Sequence, residues 1–141
     1  MQEIIVALII ATAVEVGVPP YFAVAIATVE HWGGSINPDA RVGPNENGSY
    51  DLGVMQLNDR YFGHIDWKCP ATNIRAGVEH IKWLIQQPEL TTYWSVAIAY
   101  NCGIARFIEF PPPSASIVYA NRVLLVWEQL DKYAHKTIIQ R

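Results

Sequence analysis

The chain has 141 residues, a formal net charge of −3, 51% hydrophobic and 16% charged residues. That composition is globular and the length suits one domain, so residues 1–141 read as a single unit with a real core, too short for two domains and not mainly disordered. No Lys/Arg cluster is present to neutralise phosphates, which argues against nucleic acid as the main ligand. Cys69 and Cys102 lack zinc-site spacing and the four histidines form no H-E-x-x-H pattern, so no metal or cofactor is expected.

The first segment, Ile4 to Val14, is an apolar run that resembles the centre of an export signal. Its start, Met1-Gln2-Glu3, carries no positive charge, no comfortable cleavage site follows, and the run is too short to span a membrane. Residues 2 to 16 are therefore expected to form a core helix ending at Gly17. With no recognisable export signal and no membrane segment, the chain is expected to be a cut-out domain, part of a larger protein, or a phage protein carried to its site by other means.

A second helix is expected over 19 to 32. Pro19 and Pro20 suit a first helical turn, and YFAVAIATVEHW contains no breaker before Gly33 and Gly34. Three, four and seven residues before Glu30 lie Ala27, Ile26 and Ala23, so the carboxylate shares a stripe with small apolar side chains. Burial there disfavours the charged form and raises the pKa, as a proton donor near neutral pH requires. The residues alone leave open a glutamate that only bonds nearby backbone.

Ser35 to Tyr50 is loop, with turn dipeptides Asn37-Pro38, Gly43-Pro44 and Asn47-Gly48 and room for a small hairpin. A short helix or turn is expected around Leu52 to Tyr61, then a break at Asp66 to Pro70. Ala71 to Gln87 reads as a helix with Ile74, Val78, Ile81 and Ile85 on one stripe. Thr92 to Asn101 forms another, closed by Gly103, which delivers Tyr100 and Asn101 to an exposed end. Phe110 to Pro113 is an extended linker. The last helix runs from about Ser114 to Tyr133, with Tyr119, Val123, Val126, Trp127 and Leu130 on one face. The fold class is all-α, with a small β element near 42 to 52.

Four blocks then stand in order: Glu30; Gly48-Ser49-Tyr50-Asp51-Leu52-Gly53-Val54-Met55-Gln56-Leu57-Asn58; Ala99-Tyr100-Asn101 before Cys102-Gly103; and Tyr119. Together they resemble the lytic transglycosylases of the SLT type, within the lysozyme-like superfamily, from about Gly17 to about Leu130. The form YDLGVMQLN, with CPATNI at Cys69 to Ile74, is similar to the small specialised members that accompany secretion systems. The resemblance implies Glu30 as catalytic acid and Ser49, Met55, Gln56, Tyr100, Asn101 and Tyr119 as substrate-binding residues. Apart from it, Met55 reads as core filler and Tyr119 as core packing with a phenol tip at the surface. The family usually has Ser after the glutamate. Here it is His31, which must supply a substitute or alter the site.

The function so implied is cleavage of the β-1,4 bond between N-acetylmuramic acid and N-acetylglucosamine, closing a 1,6-anhydro ring, with Glu30 as sole acid and base. The expected partner is the peptidoglycan glycan strand in the cell wall or periplasm, with a secretion or phage tail apparatus as a further one. Aromatic faces for stacking on sugars are available in five Trp and seven Tyr. Two alternatives stand beside it. A hydrolytic muramidase of the goose-type kind would need a second carboxylate, for which Asp51 is placed in sequence, about 5 Å away as a nucleophile or up to about 10 Å as a base. A protein that grips glycan without cutting it is the other, and His31 is the feature that favours it. Trp32 reads equally as a sugar platform or as core, and Cys69 and Cys102 as a disulfide or as two free thiols.

Overall fold

A computed structural model describes residues 2–139, with side chains through Ala134. It contains α1 (Gln2–Val16), α2 (Pro20–Glu30), β1 (Arg41–Val42), β2 (Asp51–Leu52), β3 (Leu57–Asn58), α3 (Asp59–Phe62), α4 (Pro70–Ile85), α5 (Tyr93–Cys102), α6 (Ile104–Ile108) and α7 (Ser114–Ile139). The fold is helical with one small sheet, as expected. The antiparallel order β1-β2-β3 pairs Val42 with Asp51 and Leu52 with Leu57.

Helix α2 is the centre of the packing, lying against α1 and α7, while α5 packs on α7 and α4 on α1 and α5. Its composition explains that position. From Phe22 to Ala27 every side chain is buried, which suits a helix with neighbours on most sides. Phe22 sits between the rings of Tyr93 (5.1 Å) and Trp127 (5.0 Å), joining α2 to α5 and α7. On α1 the inward face is Ile5, Ile9, Thr12 and Ala13, yet Ile4 and Val14 face outward. Apolar residues on both faces are what made this segment resemble an export signal. No helix among the described residues is long and apolar enough to cross a membrane.

Several elements differ from the sequence reading. The second helix stops at Glu30 rather than residue 32, because the His31 amide folds back to the Thr28 carbonyl at 3.2 Å. The segment expected as a helix or turn from Leu52 to Tyr61 is a strand, a four-residue turn, a second strand and the short α3. Helix α6 was not foreseen, being a single turn and a half held between Gly103 and the prolines. At α5, Thr92 and Ser95 form a reciprocal capping box, and Gly103, at φ 86°, ends the helix in a conformation suited to glycine.

Candidate active site

Glu30 is the last residue of α2, and it reaches a cleft of about 820 Å³ lined by parts of β2, β3 and helices α3 to α6. Its stripe of Ala23, Ile26 and Ala27 is fully buried. Tyr119, from α7, donates its hydroxyl to Glu30 Oε2 at 2.7 Å. The Glu30 pKa is raised from 4.5 to about 8: burial drives it up, the Tyr119 hydrogen bond opposes that, and the negative charge of Asp51 adds to the rise. At neutral pH Glu30 therefore holds its proton.

The floor beside it is the turn between β2 and β3. Gly53 (φ 73°) and Gln56 (φ 52°) both take left-handed backbone, which is uncommon for a glutamine and is held by its surroundings. Four successive carbonyls are each met by a side chain. Asn73 Nδ2 donates to Leu52 O (3.0 Å), Gln56 Nε2 to Gly53 O (3.0 Å), His31 Nε2 to Val54 O (3.0 Å) and Tyr100 Oη to Met55 O (2.6 Å). Asn73 Oδ1 also accepts the Met55 amide at 2.8 Å. A turn this buried must meet its backbone polar groups largely from the protein, and here side chains do so.

Helix α4 is shaped to receive that turn. A Cβ on Gly53 would stand 2.9 Å from Trp67 O and closer still to the Asn73 amide, and a Cβ on Gly77 would stand 2.5 Å from the Met55 side chain. Glycine at these two places lets turn and helix approach closely. Asn73 and Gly77, four residues apart on α4, are supports of this turn that the sequence reading missed. Their signal was an asparagine and a glycine beside the Ile74 and Val78 stripe.

The expected site residues divide into two groups. Glu30, Gln56, Tyr100 and Asn101 line the cleft, together with Asp51. Met55 is fully buried against Gly77, so its side chain supports the floor from beneath. Tyr119 is buried behind Glu30, where it touches the acid. Ser49 is buried within an amide network, accepting from Asn45 Nδ2 (3.1 Å) and Asn58 Nδ2 (2.8 Å) and donating to Asn47 Oδ1. The same two amides hold Asp51, Asn45 on Oδ2 (3.4 Å) and Asn58 on Oδ1 (3.3 Å). Burial raises the Asp51 pKa and these hydrogen bonds oppose the rise.

Tyr100 and Tyr119 both have hydroxyl pKa values pushed well up, by burial first and then by the negative charge of Glu30, so both remain phenols able to donate. On Asn101, Oδ1 accepts from Ser116 Oγ at 2.7 Å, which ties the end of α5 to α7. Trp32 is half exposed under the Arg122 guanidinium, 4.8 Å from its ring centre. Cys69 and Cys102 are free thiols. Among the described residues no three of His, Cys, Asp or Glu gather as metal ligands.

A helical domain with a small three-stranded sheet, and a buried carboxyl at the end of a central helix, is consistent with a lysozyme-like fold. The family model of the transglycosylase SLT domain matches residues 7–109, and the chain belongs to that family. Membership indicates activity of the lytic transglycosylase type on cell-wall peptidoglycan. No curated protein and no solved structure matches the chain significantly. Tyr119 lies beyond the matched residues.

Proposed function

We propose that the protein cleaves the β-1,4 bond between N-acetylmuramic acid and N-acetylglucosamine with Glu30 as its single acid and base, closing a 1,6-anhydro ring. The supporting observation is the state of Glu30 relative to the other carboxylates of the cleft. Three carboxylates line it among the described residues: Glu30, Asp51 and Glu109. Glu109 is exposed and lies 3.9 Å from Arg106, and Asp51 has both oxygens engaged by amides. Glu30 alone has a pKa of about 8, and with Oε2 facing Tyr119 its other oxygen is free to carry the proton.

The steps balance without water. Protonated Glu30 gives its proton to the glycosidic oxygen as the bond to the anomeric carbon breaks. The resulting carboxylate takes the proton of the muramoyl 6-hydroxyl, whose oxygen bonds to that carbon, and the acid is restored. Tyr119 stabilises the transient carboxylate through its hydroxyl. Holding the 6-hydroxyl against the anomeric carbon makes ring closure effectively unimolecular.

A second reading is favoured by Asp51, which shares the cleft and whose charge is felt by Glu30: a muramidase in which Asp51 serves an attacking water. Digestion of purified peptidoglycan in oxygen-labelled water separates the two. Unlabelled products lighter than the hydrolysis product by one water are expected; labelled reducing ends would replace the transglycosylase with the muramidase. Binding to insoluble peptidoglycan with no product would leave a glycan-gripping protein.

A further inference from the structure

Away from Glu30 the cleft continues along one wall built by α3 and α4, and this wall is aromatic. His80 is its hub: the imidazole lies 5.6 Å from the Tyr100 ring, 5.8 Å from Phe62 and 6.0 Å from Trp83, nearly parallel to the last at 11°. Tyr61, Phe62, His80, Trp83 and Tyr100 all line the same cavity as Glu30. The outer members are open to solvent, Trp83 at 47% and Tyr61 at 70%. Two large aromatic rings so exposed inside a concave site are surfaces for a ligand, since core packing has no use for them.

We propose that Tyr61, His80 and Trp83 form a saccharide subsite, in which a sugar unit of the glycan strand beyond the bond being cleaved stacks on Trp83. This rests on the reading of the cleft as a peptidoglycan-cleaving site. Ring-to-ring steps of 5.6 and 6.0 Å lead from Tyr100, at the acid, to Trp83 at the rim, so the wall is a continuous track. The Trp83 ring is backed by the His80 imidazole, which fixes its plane as a platform. Burial draws the His80 pKa down, so the ring is neutral and presents a donor and an acceptor suited to hydroxyl groups.

Charge decides between the two parts of peptidoglycan that the wall could hold. Stem peptides carry carboxylates and call for cations, whereas among the described lining residues Arg106 is the single permanent cation. It belongs to α6 and not to the α3–α4 wall, with Nη1 donating to Pro111 O at 3.1 Å. The α3–α4 wall offers apolar faces and neutral polar edges, the chemistry of a pyranose ring.

The test is calorimetric titration of the full chain with N-acetylglucosamine oligomers from dimer to hexamer, which carry neither lactyl nor peptide groups. Affinity is expected to rise with length in the parent, and Trp83→Ala to lower hexamer affinity about tenfold while leaving the dimer unchanged. Trp83→Tyr should recover most of the loss, which a purely structural role would not predict. Equal hexamer binding by Trp83→Ala and parent overturns the subsite. So does a loss confined to peptide-bearing muropeptides, which would make the wall a peptide site. Trp83-dependent hexamer binding in a parent that yields no cleavage product would support the subsite while removing the proposed activity. Anhydro product from the parent, with Trp83→Ala unchanged in binding, would do the reverse.

Discussion

Tyr119 donates its hydroxyl to Glu30 Oε2 at 2.7 Å across 89 residues of sequence, placing a phenol from the last helix directly on the buried acid. The bond favours the charged form of Glu30 against the burial that disfavours it. In the proposed mechanism it acts after the first proton transfer, when the carboxylate must persist long enough to take the second proton.

Tyr119→Phe removes that donor, and the sign of its effect is fixed. With the anion less stabilised, the Glu30 pKa rises further above about 8, so the alkaline limb of the pH–rate profile moves to higher pH. Below that limb the rate is expected to fall by about 10- to 100-fold, because the carboxylate needed in the second step is harder to form. A limb that moves to lower pH would contradict the assignment of both residues.

Glu30→Gln is expected to abolish cleavage and also to stabilise the protein in a pH-dependent way. In the unfolded chain the carboxyl titrates near 4.5 and in the folded chain near 8, so between these values the native state binds more protons than the unfolded one. Native stability of the parent then falls as pH rises through that window and levels off above about 8. The amide has no such cost. Thermal melts should show the variant close to the parent at pH 4 and more stable at pH 8, by an amount on the order of a few kcal/mol. A difference independent of pH would mean that Glu30 is not held in its neutral form.

The buried placement of Glu30 could be read from the sequence because helical spacing sets it among Ala23, Ile26 and Ala27, and spacing is a local property. The turn at Leu52 to Gln56 was found as a motif, but its architecture was not. Three of its four carbonyls are met by partners 21, 23 and 45 residues away, and no local pattern specifies such pairings. Periodicity also concealed the aromatic wall. On α4 the core stripe is Ile74, Val78 and Ile81, so His80 and Trp83 fall on the face that a helical pattern assigns to solvent. Only the approach of α3 and α5 turns that face into the side of a cleft.

Gly53→Ala tests the docking of that turn on α4. The backbone at φ 73° is strained for alanine, and the added methyl would meet the Asn73 amide and, at 2.9 Å, the Trp67 carbonyl. Asn73 is fully buried and serves both ends of the turn, so it has nowhere to move without orphaning Leu52 O or the Met55 amide. A loss of about 2–4 kcal/mol in denaturant unfolding is expected. Wild-type stability in this variant would show that the turn can shift away from α4.

The histidine beside the acid gives the last prediction. His31 Nδ1 accepts the Asn37 amide at 3.4 Å, which leaves Nε2–H to donate to Val54 O at 3.0 Å. The ring thus straps the end of the helix bearing Glu30 to the turn bearing Gln56. His31→Ala leaves the carbonyl of a fully buried residue without its donor, at a cost of about 1–3 kcal/mol, and loosens acid and floor relative to each other. Because the defect lies in positioning, kcat is expected to fall about tenfold with KM little changed. Two further variants identify what the side chain supplies. His31→Gln retains a long donor able to reach Val54 O and should recover much of the rate. His31→Ser places the family's usual residue there, but its hydroxyl is too short for that carbonyl and should recover less. If Ser proves the better replacement, the role of this position lies at Glu30 itself and the strap to Val54 is incidental.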